Sequence, residues 1–197
     1  WTARKLIFCR GFHDEKSLYF NWLPFRPVKG EILFLKSDRA FSRIYNKSCF
    51  ITPPNSGISK CGSTYDWRDR SIYPTEKGLS TILSHLSALI NWNVEVVEQK
   101  AGVRPATLDR RPFAGLHPEH KTLGVFNGLG TKGVTLAPYY ADQFVKFLED
   151  GTKLDNEVNI ERYYSLYYNS FSSEKKDIFS RLFIRIFSYV SLFQVKK

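Results

Sequence analysis

Leu123-Gly124-Val125-Phe126-Asn127-Gly128-Leu129-Gly130-Thr131-Lys132-Gly133-Val134-Thr135-Leu136-Ala137-Pro138 is the stretch on which the fold turns. Gly128, Gly130 and Gly133 match the spacing of a dinucleotide-binding fingerprint, and Leu123 to Phe126 before them reads as a short buried strand. Val134 to Leu148 reads as a helix, with apolar positions at Val134, Leu136, Ala137, Ala141, Phe144, Val145 and Leu148. Asp150 stands about 20 residues on, where such a motif keeps its ribose-binding acid. A Rossmann unit needs the helix to return into a parallel strand, whereas residues 151–162 are a polar run with no apolar stretch of strand length. The βαβ unit is therefore not expected here. Two readings of the glycines stay open: a loop that lets backbone N–H groups approach an anion or a polarised carbonyl at a helix start, or an ordinary tight strand-to-helix turn.

Outward from this loop the pattern is mixed. Leu6 to Cys9 reads as a buried strand, Glu31 to Leu35 as an alternating strand, and Cys49 to Thr64 as a hairpin turned by Pro54-Asn55-Ser56-Gly57. Thr75 to Ile90 reads as a helix capped by Thr75, with Leu79, Ile82, Leu83, Leu86 and Leu89 on one stripe. Val94 to Gln99 returns as a strand and leads into Ala101-Gly102-Val103-Arg104-Pro105-Ala106-Thr107-Leu108-Asp109-Arg110-Arg111-Pro112-Phe113-Ala114-Gly115. The fold class expected is α+β.

At 197 residues, 43% hydrophobic and 24% charged, the chain is long enough for a core and is not a disordered segment. Cys9, Cys49 and Cys61 lack metal-type spacing and are odd in number, which favours a reduced, cytoplasmic protein with buried thiols at Cys49 and Cys61. No signal peptide or membrane-length apolar run is visible in these residues. His13, His85, His117 and His120 are too sparse in sequence for a metal site, and no metal is assigned.

The order of segments, from Arg104-Pro105 and Asp109-x-x-Pro112 through Asn127-Gly128-Leu129-Gly130 into Leu136-Ala137-Pro138, resembles the carboxyl-terminal half of the FAD-dependent oxidoreductases related to D-amino-acid oxidase and glycine oxidase. Lys5 to Phe12, Phe25-Arg26-Pro27-Val28-Lys29-Gly30-Glu31-Ile32-Leu33, and Phe50 to Pro54 with Gly57 and Gly62-Ser63-Thr64-Tyr65 resemble further segments of that family, so the likeness runs over residues 4–162. The family's glycine-rich FAD pyrophosphate turn lies before the strand at Leu6, so the chain reads as a carboxyl-terminal portion whose partner would be the amino-terminal FAD-binding segment. The resemblance implies that residues 1–18 end an FAD-binding domain, 19–100 form an interleaved substrate-binding domain, 101–150 return to the FAD domain and 151–197 form a helical tail.

The resemblance also implies roles. Arg104 would bind a substrate carboxylate, a task that suits the rigid donor fork of a guanidinium; the alternative is a structural ion pair. Phe50 and Tyr65 would face the flavin, Phe50 standing where relatives often carry tyrosine; both could equally be core aromatics. Cys9, Gly11, Gly102 and Asp109, and the loop Gly128, Leu129, Gly130, Thr131, Lys132, Gly133, Val134 and Thr135, would lie along the cofactor, with Asp109 open also to a turn-capping role. Gly102 stands at the position matching a flavin-tethering cysteine in sarcosine-type relatives, and no cysteine lies between Ala101 and Gly133, so FAD is expected to be noncovalent. The chemistry implied is oxidation of the C–N bond of an amino acid or secondary amine of the glycine, sarcosine or D-amino-acid type, by hydride transfer to flavin.

Two alternatives follow from charge and from the tail. A net charge of +10 would suit a tRNA-modifying relative, although the Lys and Arg residues are scattered in sequence, which makes nucleic acid the weaker expectation. The stretch from Lys175 to Gln194 mixes Ile178, Phe179, Leu182, Phe183, Ile186, Phe187, Val190 and Phe193 with Arg181 and Arg185. Such a helix would pack on the protein, bind another subunit, or touch the inner membrane as in a quinone-linked dehydrogenase.

Overall fold

The computed structural model describes residues 2–170, and the expectations about Ser173 to Lys197 lie outside them. The elements run β1 (Leu6–Phe8), β2 (Val28–Lys36), β3 (Tyr45–Asn46), β4 (Phe50–Ile51), β5 (Ser59–Gly62), α1 (Glu76–Ser87), β6 (Glu95–Arg104), β7 (Phe113–Leu116), β8 (Leu123–Asn127) and α2 (Gly133–Asp150), with 3₁₀ turns at Gly11–Lys16, Gly130–Lys132 and Ile160–Tyr163. Contacts group them into two compact units. Of the described residues, one unit takes 2–24, 112–127 and 135–170; the other takes 25–111 and 128–134. The sheet of the second unit continues past residue 100, because β6 runs unbroken to Arg104 along β2.

The second unit is an antiparallel sheet in the order β3-β4-β5-β2-β6. The expected hairpin forms, with Ile51 opposite Cys61. Its turn closes through Asn55 and Ile58, and Ser56 and Gly57 both take positive φ (51° and 78°), the primed geometry that short hairpins require. Because side chains alternate across a strand, register sorts the sheet into two faces. Lys29, Glu31, Leu33 and Leu35 share the face covered by α1, where Leu33, Leu35, Ile51, Cys61, Ile82 and Leu86 form the core. Each fully buried aliphatic side chain there contributes about 1.5–3 kcal/mol. Thr75 caps α1 as its sequence suggests, accepting from the Gly78 N–H at 3.0 Å. β2 and β6 are both longer than their apolar patterns, since the ladder pairs Val28 with Arg104 at one end and Lys36 with Glu95 at the other. A bulge beyond Phe34 leaves Val97 out of register and keeps Leu35 on the core face.

In the first unit β8 lies between a parallel β1 and an antiparallel β7. The helix expected over Val134–Leu148 forms, but Val134 is 96% exposed and Val145 is exposed too. Of the expected stripe Phe144 and Leu148 do pack inward, joined by Tyr140 and Phe147, against Ile7, Ala114 and Phe126. Leu6 is exposed, contrary to the buried strand expected, because β1 is an edge strand among the described residues, bonded only to β8. Residues 151–162 form no strand, so no βαβ unit closes. The run nevertheless buries Leu154, Val158 and Ile160, and the Val158 carbonyl accepts from the Ala114 N–H at 2.8 Å.

Candidate functional site

The second unit brings several of the expected residues onto one sheet face. Arg104 pairs with Val28, Gly102 with Gly30, Gly62 with Ile32 and Phe50 with Gly62, so Arg104, Gly102 and Phe50 share the face opposite α1. The Arg104 guanidinium leans along that face over Gly30, so closely that a side chain on Gly30 would occupy its space. It donates to Ser63 Oγ at 2.7 Å and to the Thr64 carbonyl at 3.3 Å, and its Cζ stands 4.6 Å from the centre of the Tyr65 ring. Partial burial presses the Arg104 pKa below its ordinary value, an effect the Tyr65 phenol opposes. Tyr65 is 58% exposed and Phe50 half-buried, so neither is sealed in the core. Gly102 is exposed, with open space where a Cβ would stand. The result is a glycine-floored surface beside an immobilised guanidinium, a geometry suited to seating a carboxylate.

The next residues tie the glycine loop to this strand end. The Pro105 carbonyl accepts from the Gly130 N–H at 3.1 Å, and the Ala106 carbonyl accepts from the Arg26 N–H at 2.7 Å. Gly128 and Gly130 adopt positive φ (75° and 55°), which fits the need for glycine at both. Leu129, Thr131 and Lys132 form the turn into α2, where Lys132 donates its N–H to the Leu129 carbonyl at 3.2 Å. Gly130 and Lys132 thus direct their N–H groups at protein carbonyls. The first turn of α2, from Gly133 through Val134 and Thr135, begins beside them with N–H groups that have no intrahelical acceptor. Asp109 acts within its own turn: its Oδ1 lies 3.1 Å from the Thr107 hydroxyl and accepts from the Arg111 N–H at 3.0 Å, across Arg110 in a left-handed conformation.

On the first unit, Cys9 and Gly11 follow the carboxyl end of β1, beside the parallel β8. Cys9 is exposed as a residue, but partial desolvation of its thiol and the nearby Asp14 carboxylate raise the thiol pKa. The Gly11 carbonyl accepts from Asn127 Nδ2 at 2.8 Å, and the same amide reaches Asp14 Oδ2 at 2.7 Å. Asp14 is fully buried and also accepts from Arg10 Nε at 2.7 Å. Asp14 was not singled out in the sequence; its only signal is a carboxylate four residues after Arg10, at one-turn spacing. His117 and His120, sparse in sequence, do come together, their rings stacked 4.9 Å apart. Among the described residues no group of His, Cys, Asp or Glu is arranged to hold a metal. Cys49 and Cys61 are buried free thiols with sulfurs 3.7 Å apart. No helix among the described residues is long and apolar enough to cross a membrane.

Sequence reasoning also missed a buried network on the α1 side of the sheet. Lys29 Nζ donates to Asp69 Oδ2 at 2.6 Å, to Ser71 Oγ at 3.0 Å and to the Tyr73 carbonyl, and lies 3.7 Å from Glu31 Oε1. Glu31 accepts from the Thr75 hydroxyl at 2.8 Å, the Thr75 N–H at 2.9 Å and Gln99 Nε2 at 2.7 Å. The hydrogen bond from Lys29 holds the Asp69 pKa down at about 2.

The family model described as FAD dependent oxidoreductase matches residues 2–146. A glycine oxidase of Bacillus subtilis (strain 168) is 33% identical over 118 residues, 58% of this chain and 32% of that protein. The tRNA 5-methylaminomethyl-2-thiouridine biosynthesis bifunctional protein MnmC of Leptospira interrogans is 28% identical over 200 residues, 82% of this chain and 31% of its own length. Among solved structures, glycine oxidase from Bacillus cereus ATCC 14579 aligns with a TM-score of 0.66 at 23% identity, over 77% of this chain and 44% of that one. Iminodiacetate oxidase from Chelativorans sp. BNC1 gives 0.66 at 24% identity, over 83% and 46%. These structural likenesses establish the fold, and the chain spans about a third of the length of the two curated relatives named above.

Proposed function

The chain belongs to the family of FAD-dependent oxidoreductases, and from that premise we propose that it forms part of an enzyme oxidising the C–N bond of a small amino acid or secondary amine. The observation that carries this reading is Arg104, held by Ser63, Thr64 and Tyr65 over Gly30 on an open sheet face. In this reading Arg104 seats the substrate carboxylate, Phe50 and Tyr65 flank the substrate, and Gly102 leaves room for it. Bound FAD supplies the hydride acceptor.

The residues fit that cofactor. Positive-φ glycines lead the chain into α2, and the helix start would offer N–H groups and a positive dipole end to the electron-rich part of a flavin bound there. Lys132 adds a charge to that loop. The binding is noncovalent in this reading, since no cysteine lies between Ala101 and Gly133, where the tethering cysteine of sarcosine-type relatives would match. The protein's part is to orient the amine so that its α-carbon meets the acceptor. The test is a visible spectrum of the full-length protein followed by anaerobic addition of glycine, sarcosine, proline and D-amino acids. Bleaching by one of them supports the reading; protein that stays colourless with added FAD refutes it.

A second reading, an amine carried on tRNA, is favoured by one surface. The exposed segment 65–73 stacks Arg26 on Trp67 at 4.8 Å and Arg104 on Tyr65, interleaving rings with cations as single-stranded nucleic acid sites do. Salt-dependent tRNA binding lost in Trp67→Ala supports it, and binding unaffected by that change removes it.

A further inference from the structure

We infer that Lys29 and Glu31 are positioning residues for Arg104, acting from the opposite face of the sheet; this rests on Arg104 as the carboxylate anchor. Residues i and i+2 of a strand share a face and i+1 faces away, so Lys29 and Glu31 flank Gly30 but point away from the surface where Arg104 lies. They reach no substrate there. What they hold is segment 63–75, which supplies every partner of the Arg104 guanidinium named above.

The segment is fastened in two layers. At the backbone, Lys29 and Asp66 exchange N–H to carbonyl bonds of 2.9 Å each, the Thr64 N–H donates to the Glu31 carbonyl at 3.2 Å, and the Glu31 N–H donates to Thr64 Oγ1 at 2.9 Å. At the side chains, Lys29 takes Asp69, Ser71 and the Tyr73 carbonyl, and Glu31 takes both donors of Thr75. Lys29 is 1% exposed, so its charge is out of water and depends on those acceptors. Ser63 and Tyr65 therefore stand where the buried pair puts them, and Arg104 stands where Ser63 and Tyr65 put it.

The test uses the full-length FAD-loaded protein and two readouts that a merely structural role would not separate. One is the affinity for acetate, followed by chemical shifts of the labelled acetate; the other is turnover of the best amino-acid substrate against the same amine lacking its carboxylate. Lys29→Met and Glu31→Gln are expected to weaken acetate about tenfold and to raise KM for the amino acid with kcat changed far less, as loss of one charge-assisted contact implies. Turnover of the carboxylate-free amine and FAD content stay as in the wild type. Lys29→Arg, which keeps the donors, is expected to restore acetate binding. Should Lys29→Met fail to fold, Asp69→Asn, at a partly exposed position, is expected to weaken acetate in the same direction by about threefold. Undiminished acetate affinity in the folded network variants, or equal losses with both substrates, overturns the inference. If Arg104→Lys also binds acetate like the wild type, the anchor reading itself falls; if Arg104→Lys alone weakens it, only the positioning role falls.

Discussion

Gly30→Ala separates the role of Arg104 from the stability of the sheet. An added methyl at Gly30 would stand in the space of the Arg104 guanidinium, and that guanidinium is the far end of a flexible side chain. It can swing away, so the backbone need not move and unfolding stability is expected to change by no more than about 1 kcal/mol. What swings away is the site. Arg104 loses its 2.7 Å bond to Ser63 Oγ and its seat on the Tyr65 ring, and with them the fixed orientation that a carboxylate would meet. A charge-assisted hydrogen bond contributes about 1.5–3 kcal/mol, so kcat/KM for an amino-acid substrate is expected to fall about 10- to 150-fold. Gly102→Ala is the comparison for sheet stability alone: it sits opposite Gly30 in register and its Cβ would enter open space, so unfolding should change as little. The assay is kcat/KM for an amino acid and for the amine without its carboxylate, with thermal unfolding in parallel. Gly30→Ala with normal discrimination between the two substrates would refute the anchor reading, and so would a loss as large for the carboxylate-free amine.

Three further outcomes follow. Asp69, held at about 2 by Lys29 against an ordinary 3.8, supports the fold above that ordinary value and ceases to as pH falls from 3.8 through 2; acid unfolding of Asp69→Asn should therefore lack that component in a pH-resolved melt. His117 is buried, with its pKa pushed below the usual 6.5 by burial and by His120, and its Nδ1 accepts from the N–H groups of Glu119 and His120 at 3.2 and 3.1 Å. The unfolded chain then takes up the proton first, so stability should decline as pH drops below 6.5, and a melting series from pH 7.5 to 5.5 should be flatter in His117→Gln. In α2, Val134→Ser should leave stability within about 0.5 kcal/mol, whereas Phe144→Ala should cost about 3–5 kcal/mol, measured by urea unfolding.

Local signals with a stated physical cause were legible. Thr75 announces a cap and Pro54-Asn55-Ser56-Gly57 a turn, and both stand where expected, while the positive φ of Gly128 and Gly130 shows only in the structure. Burial was less legible. Val134 fits a 3.6-residue stripe in sequence, but the stripe that finds a partner is centred on Phe144, and which face is covered depends on the sheet below it. Leu6 looks like core by composition and is an edge residue by pairing. At the site, Arg104 was visible only through family likeness, and its seat was not visible at all, since Ser63 and Gly30 meet it across 41 and 74 positions of chain.

The strand Val28-Lys29-Gly30-Glu31-Ile32-Leu33 shows why such a seat escapes a pattern reading. Alternation normally places charge in water and apolar groups in the core, and on that rule Lys29 and Glu31 would face out. The structure reverses them: both charges lie on the face with Leu33 and Leu35 that α1 covers, and the smooth side with Gly30 and Ile32 is the one left for Arg104. Burying an ion pair adds little net stability, because desolvation offsets most of the attraction, while leaving one partner alone is costly. The pair is thus a poor way to stabilise a sheet and an effective way to specify it. The placement of residues 64–75 gives Lys29 its acceptors and Glu31 its donors from Thr75, and that same placement sets Ser63 and Tyr65 against Arg104.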